Sequence, residues 1–273
     1  MKIIDHRLYT DDNKSVPYQP TPNKGGIYTP YYLVMHYTAV TRAAGSASWF
    51  LDKNAKASAH LLIDRDGSII QFAPFNIVTW HAGVSKWNGL NGLNQYAIGI
   101  ELVNGGRLTK SGNNWMCPVD KRVVPDSEVV MAKHKNENTI EGWQDYTAAQ
   151  MEVATEIAAL LVKTYKLKDV VGHDDIAPFR KSDPGPAFPM AGFRSKAMGR
   201  KDETIDTYFT NTAVNIRRGP GTSFEPITEP LPNNTKVQIL KGEGNWRFVE
   251  VTGTVHGIND LEGWVSAKYL VKK

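Results

Sequence analysis

A single cysteine, Cys117, stands among the 273 residues, and a lone thiol excludes any disulfide within the chain. It leaves both reducing and exported settings open, because many exported proteins need no bridge; between Met116 and Pro118 it reads as a structural residue. Long apolar runs are absent too. No stretch approaches the roughly 20 residues that cross a bilayer as a helix. The opening MKIIDHRLYTDDNKSVPYQP has only Ile3 and Ile4 consecutive between Lys2 and Asp5, which lacks the apolar core of a signal peptide and predicts synthesis in the cytoplasm without a leader. Nor does charge of one sign accumulate: 32 basic residues face 28 acidic ones for a net charge of +4. Without a basic run there is no electrostatic footprint for nucleic acid, and no obligate protein partner is evident.

What is present is ordinary globular material. Hydrophobic residues make up 41% and charged residues 22%, enough to bury a core, and at roughly 150 residues per domain the length predicts two domains. The first 30 residues read as an extended leader with one short strand at Lys2 to Ile4. Tyr32 to His36 reads as a buried strand, and Ser46 to Asp52 as a short helix with Trp49, Phe50 and Leu51 supplying a hydrophobic side. His60 to Ile63 and Ser68 to Phe72 flank the turn Asp64-Arg65-Asp66-Gly67, a hairpin signal. Ala97 to Val103 is apolar except for Glu101, a carboxylate that costs stability unless it has a partner or a task. Gly105 to Asp145 reads as a long irregular loop bordering a site. Thr147 to Tyr165 is the clearest helix, with Thr147 and Gln150 at capping-box spacing and Met151, Ala154, Ala158, Leu161 and Tyr165 on one face. Val170 and Val171 form the next strand. Interleaved strands and helices predict an α/β domain with one mixed sheet.

Two histidines and one aspartate stand out by position. His36 closes the apolar run from Tyr31 to Met35, and His173 follows Val170, Val171 and Gly172, so both sit at strand ends. Asp183 lies in GHDDIAPFRKSDPGPAF, where Pro178, Pro184 and Pro186 stiffen a loop able to return it toward His173. Alone, a strand-end histidine is a common hydrogen-bonded structural residue, and Asp before Pro a common turn former. Together, two imidazoles and a carboxylate suit Zn²⁺ with one coordination position left for water.

The stretches LVMHYTAV, SAHLLIDRDGSIIQ, WHAGVS, AIGIELVN and GHDDIAPFRKSDPGPAF, in that order between Tyr31 and Pro189, resemble the zinc-dependent N-acetylmuramoyl-L-alanine amidases, which belong to one superfamily with the peptidoglycan recognition proteins. The resemblance implies an α/β amidase domain over residues 1–199, with a central mixed sheet flanked by helices, hydrolysing the amide between the lactyl group of N-acetylmuramic acid and L-alanine in peptidoglycan or muropeptides. It implies Zn²⁺ on His36, His173 and Asp183, and Glu101 as general base, since Ala59 stands where other members place a tyrosine. It places Lys181 at the position that stabilises the oxyanion, Lys56 at a position that pairs with stem-peptide carboxylates, and Trp80 with His81 along the substrate groove. Arg180 is expected to face solvent or a core carboxylate, and His60 to be a core histidine or a reserve base. A rival within the same fold is a recognition protein that binds peptidoglycan without cutting it. Such relatives usually lack the ligand at the position of Asp183.

Past residue 200 the text alternates in short strands separated by Gly, Pro and Asn turns, predicting a small all-β barrel over 207–273 after a linker at 200–206. AVNIRRGPGTSFEPI, GNWRFVEV and EGWVSAKYL resemble the bacterial SH3-like domain of wall hydrolases, which implies tethering to wall polymer through aromatics such as Trp246 and Trp264, although either could instead fill the barrel core. Binding of proline-rich partners is the alternative for an SH3-like fold. Action on the wall would require release by lysis or non-classical export; recycling of soluble fragments would keep the protein in the cytoplasm.

Overall fold

Alternation along three neighbouring strands decides how the first unit is built. The computed structural model describes residues 1–199, 207–259 and 261–272, and it separates into two units, Met1–Gly199 and Arg200–Lys273. In the first, β1 (Tyr32–Tyr37), β2 (Leu61–Ile63), β3 (Ile69–Gln71), β4 (Ala97–Leu102) and β5 (Asp169–Gly172) form a mixed sheet in the order β5-β1-β4-β2-β3. β1, β2, β4 and β5 run parallel, while β3 returns antiparallel through the expected hairpin. Gly67 takes φ +86° in that turn, a conformation open to glycine at little cost.

Successive strand residues face opposite sides of a sheet. Leu33, Met35, Ile98, Ile100 and Leu102 join one core cluster with Ala154, Ile157, Ala158 and Leu161 of α2 (Ala148–Tyr165). Thr147 caps α2 by accepting from the Gln150 N–H, and the Gln150 side chain returns the bond. The other sheet face carries Tyr32, Val34, Ala97 and Val171 against Ala82, Leu93 and Ile176, and His36 and Glu101 continue its alternation. Register completes the placement. His36 lies opposite Glu101 across the β1–β4 pair, and Gly172 lies opposite Met35, so His173, His36 and Glu101 line up at the carboxyl ends of β5, β1 and β4, where parallel sheets present their sites.

Three expectations need correction. The helix α1 spans Ala43–Leu51, and of its expected apolar side only Phe50 is buried, while Trp49 and Leu51 face solvent. The first 30 residues are integrated into the fold: Lys2–Ile4 pairs with Arg7–Tyr9, Lys24–Ile27 pairs with Ile77–Thr79, and Leu8 is fully buried. Residues 105–145 are not one irregular loop but carry five short strands. Thr109–Ser111, Asn114–Met116 and Val123–Val124 form one antiparallel sheet, and Val129–Lys133 pairs with Ile140–Gln144. Gly142 permits this by close approach, since a Cβ there would meet the Trp115 ring at 2.5 Å.

A short helix α3 (His173–Ile176) follows β5, and α4 (Met190–Ala197) closes the unit. No helix among the described residues is long and apolar enough to cross a membrane.

The second unit is all-β. β6 (Thr207–Thr210), β7 (Lys236–Glu243), β8 (Trp246–Val251), β9 (Glu262–Ser266) and β10 (Leu270–Lys272) form one antiparallel sheet in the order β9-β8-β7-β6-β10. Its core gathers Val214, Ile216, Leu231, Val237, Val249, Val251, Leu261 and Val265. Trp264 is buried, whereas Trp246 lines a cleft of about 420 Å³ with Arg217, Lys268 and Tyr269. The expected linker at 200–206 lies outside the described residues.

Candidate metal centre

The aligned strand ends deliver two imidazoles, and the proline-rich loop after α3 delivers a carboxylate between them. Asp183 Oδ2 lies 2.9 Å from His36 Nδ1 and 2.9 Å from His173 Nδ1, and the two ring nitrogens are 2.9 Å apart. The loop is tied back to the sheet end where the Asp174 N–H donates to the Asp183 carbonyl at 2.7 Å. All three residues are buried. Burial, followed by the neighbouring His173, pulls His36 down from 6.5 to about 4, which leaves the imidazole neutral and its lone pair free near pH 7. Burial alone would raise the Asp183 carboxyl, but the two histidines outweigh it and hold the group below the usual carboxylate range.

The three form a group able to hold a metal ion. Two ring nitrogens and a carboxylate oxygen crowded within hydrogen-bond distance have more lone pairs than protons to share, and a small divalent cation resolves that excess. No lysine or arginine nitrogen among the described residues bonds to any of the three atoms. The donor set therefore fits a catalytic divalent ion.

Glu101 adjoins this centre through its register with His36. Its Oε2 is shut off from solvent and has no hydrogen-bond partner among the described residues. Burial raises its pKa well above 4.5, the Asp183 charge adds to the rise, and Lys181 opposes it. A carboxyl placed in this way is poised to exchange a proton. Lys181 is exposed on the same loop and close enough for its charge to act on both Glu101 and His36.

The remaining expected site residues divide. Trp80 is half-buried and Lys56 is exposed at φ +49°. His81 does not border an open groove: it is buried, with Nδ1 2.9 Å from His36 Nε2 and Nε2 3.0 Å from the Ala97 carbonyl. Packed beneath His36, it has no ring nitrogen left for substrate. His60 is fully buried, accepts from the Gly99 N–H at Nδ1 and donates to the Ile77 carbonyl from Nε2, so it is a core histidine and not a reserve base. Among the described residues Arg180 pairs with no carboxylate; its guanidinium donates to the carbonyls of Ala82 and Val84 at 2.9 and 2.6 Å and lies 3.4 Å from His173 Nε2. Cys117 is buried, as a structural residue should be.

Sequence reasoning missed three supports. The Ala82 carbonyl receives His173 Nε2 at 3.0 Å, and Asn94 Oδ1 accepts from the backbone N–H groups of His81 and Ala82. Tyr37 and Ser182 hydroxyls meet at 2.7 Å beside the centre. Backbone carbonyls carry no sequence signal, and Asn94 is one of many polar loop residues.

Comparison with known proteins agrees with this geometry. The family model described as N-acetylmuramoyl-L-alanine amidase matches residues 27–186, and the bacterial SH3 domain model matches residues 212–271. The chain is 36% identical over 141 residues to the 1,6-anhydro-N-acetylmuramyl-L-alanine amidase AmpD of Escherichia coli, covering 51% of this chain but only 57% of that relative. It is 30% identical over 185 residues to AmpD of Citrobacter freundii, covering 61% of this chain and 80% of the relative. A solved selenomethionine AmpD structure superposes with a TM-score of 0.51 at 26% identity, covering 72% of this chain and 99% of that one. The family-model match over residues 27–186, which contain the histidine and aspartate centre at the sheet's carboxyl edge, places this chain in the N-acetylmuramoyl-L-alanine amidase family.

Proposed function

We propose that the protein hydrolyses the amide bond between the lactyl group of N-acetylmuramic acid and L-alanine in peptidoglycan or its fragments, with Zn²⁺ held by His36, His173 and Asp183. The observation that carries this reading is the convergence of those three donor atoms within 2.9 Å beside a glutamate with an unpartnered buried oxygen. Bound zinc would supply Lewis acidity, lowering the pKa of a water toward about 7 and polarising the scissile carbonyl. Glu101 Oε2 takes the proton from the attacking water and returns it to the leaving amine of L-alanine. Lys181 Nζ faces the charge that develops on the carbonyl oxygen as the carbon becomes tetrahedral. Lys56 and Trp80 are the side chains assigned to stem-peptide and sugar contacts.

The intact ligand set, with Asp183 in place, favours cleavage over recognition without cutting. The cleft of the second unit, bearing Trp246, Tyr269, Arg217 and Lys268, supports a tethering role on wall polymer, where holding the enzyme at its substrate raises local concentration. On this reading the protein acts on wall polymer and is bacteriolytic there, whereas recycling of soluble fragments would keep it in the cytoplasm.

Mass spectrometry of digests tests both statements. Full-length protein should release free L-alanine amino termini from soluble muropeptides and from purified sacculi. Residues 1–199 alone should keep the first activity and lose most of the second. Products cut elsewhere, or none with zinc present, would sink the amidase reading; equal activity on sacculi without residues 200–273 would remove the tethering role.

A further inference from the structure

Ligation by His36 through Nδ1 requires that its proton sit on Nε2, and the structure contains a device that decides this. His81 Nε2 faces the Ala97 carbonyl at 3.0 Å. A carbonyl only accepts, so the His81 proton is on Nε2 and its Nδ1 presents a lone pair. That lone pair lies 2.9 Å from His36 Nε2, which must then donate. His36 Nδ1 is left unprotonated and aimed at Asp183 Oδ2 and His173 Nδ1. Had His81 carried its proton on Nδ1, His36 would turn an N–H toward the other two donors and could not ligate.

The seat of His81 is specific. A Cβ at Gly99 would stand 2.5 Å from His81 Cγ and 2.7 Å from its Nδ1, so the ring lies on β4 only because residue 99 lacks a side chain. The turn of chain bearing the ring is fixed by Asn94, whose Oδ1 accepts from both the His81 and Ala82 N–H groups. The Ala82 carbonyl in turn lies 3.0 Å from His173 Nε2, nearer than the Arg180 guanidinium at 3.4 Å, and a carbonyl can only accept. One dipeptide thus orients both ligating rings, one by a side chain and the other by its backbone.

We propose that His81, seated in the notch at Gly99, is a positioning residue that fixes the Nδ1-ligating tautomer of His36, with the Ala82 carbonyl doing the same for His173. The inference rests on the metal reading above. Partners that orient a ligating imidazole commonly account for about 10- to 100-fold in metal affinity.

The test is zinc affinity by chelator competition at one pH on the full chain, with the melting temperature of metal-stripped protein and the ¹⁵N shifts of the His36 ring measured alongside. His81→Ala should weaken zinc about 10- to 100-fold and populate the other His36 tautomer. His81→Gln should recover most of the affinity, because its amide oxygen can accept from His36 while its NH₂ donates to the Ala97 carbonyl. Gly99→Ala keeps the His81 chemistry but removes its seat, and should resemble His81→Ala. Wild-type affinity in folded His81→Ala protein overturns the proposal. So does a loss that merely follows the melting temperature and is not recovered by glutamine, since that is the behaviour of a packing residue. Stoichiometric zinc in His36→Ala would overturn the metal reading itself, a separate failure.

Discussion

Two histidine and carboxylate clusters adjoin where His173 meets Asp174, and they have opposite fates. At the first, His36, His173 and Asp183 turn three donor atoms toward each other with no protein cation bonded among them. At the second, His134 Nε2 donates to Asp174 Oδ2 at 3.1 Å, and the place a metal would take is filled by Lys135, whose Nζ reaches Asp174 Oδ1 at 2.8 Å and Asp175 Oδ1 at 2.6 Å. His134 also stacks on Trp143 with ring centroids 5.8 Å apart. The residue types are nearly the same, and Asp174 directly follows His173. What separates a ligand set from a brace is whether a protein cation is bonded directly to the donor atoms. The brace pins the hairpin of Val129–Lys133 and Ile140–Gln144 to α3, next to His173. The centre leaves its excess negative character for an ion.

Variants that break the contrast at the centre should have the largest effect. His173→Ala or Asp183→Ala should abolish turnover on muropeptides by at least about 10³-fold, because an open three-ligand site has no redundancy; amine release per unit time checks it. Next come residues that act beside the ion. Glu101→Gln should keep stoichiometric zinc and lose about 10² to 10⁴ in rate, and Lys181→Ala should keep zinc with about 10- to 10³-fold lower turnover through loss of oxyanion stabilisation. A Glu101→Gln enzyme with near wild-type rate would move the base elsewhere.

At the brace the loss should be one of stability. Lys135→Ala leaves Asp174 buried and short of a partner, costing about 2 kcal/mol in denaturant unfolding, a value kept low because the lysine is nearly half exposed. Zinc affinity should change little. A Lys135→Ala protein that gained a second tight zinc would show the brace to be a latent ligand set.

The remaining effect concerns acid and bears on stability alone. Burial draws His60 from 6.5 down to about 3, so between those values the unfolded chain binds a proton that the folded chain does not. Stability of zinc-free protein should therefore fall as pH drops from about 6.5 toward 3, at up to ~1.4 kcal/mol per pH unit from this residue. His60→Gln should flatten the slope of unfolding free energy against pH. An unchanged slope would assign the acid sensitivity to other groups.

The sequence exposed different parts of this account to different degrees. His36 and His173 were legible because apolar β-rich runs end on them, and the capping box of α2 because its spacing is local. Glu101 was legible as the one charge in an apolar strand. The hairpins within residues 105–145 were hidden because their pairing leaves Val123, Met131 and Ile140 in solvent, which spoils the alternation that marks a strand. His81 was misplaced for a related reason. Its task depends on a glycine 18 positions later, the sequence distance from residue 81 to residue 99, and on the Ala97 backbone carbonyl, and contacts of that kind leave no periodic trace. Arg180 likewise resembles any loop arginine until Ala82 and Val84 are brought beneath it.

The central claim is that the centre with no directly bonded protein cation among the described residues is a zinc site, and metal analysis of the purified protein tests it most directly. Metal-stripped protein titrated with zinc should bind one ion per chain with high affinity, and His173→Ala should bind none at the same concentration. Failure of the wild-type chain to take up zinc, or stoichiometric zinc in His173→Ala, would contradict the account.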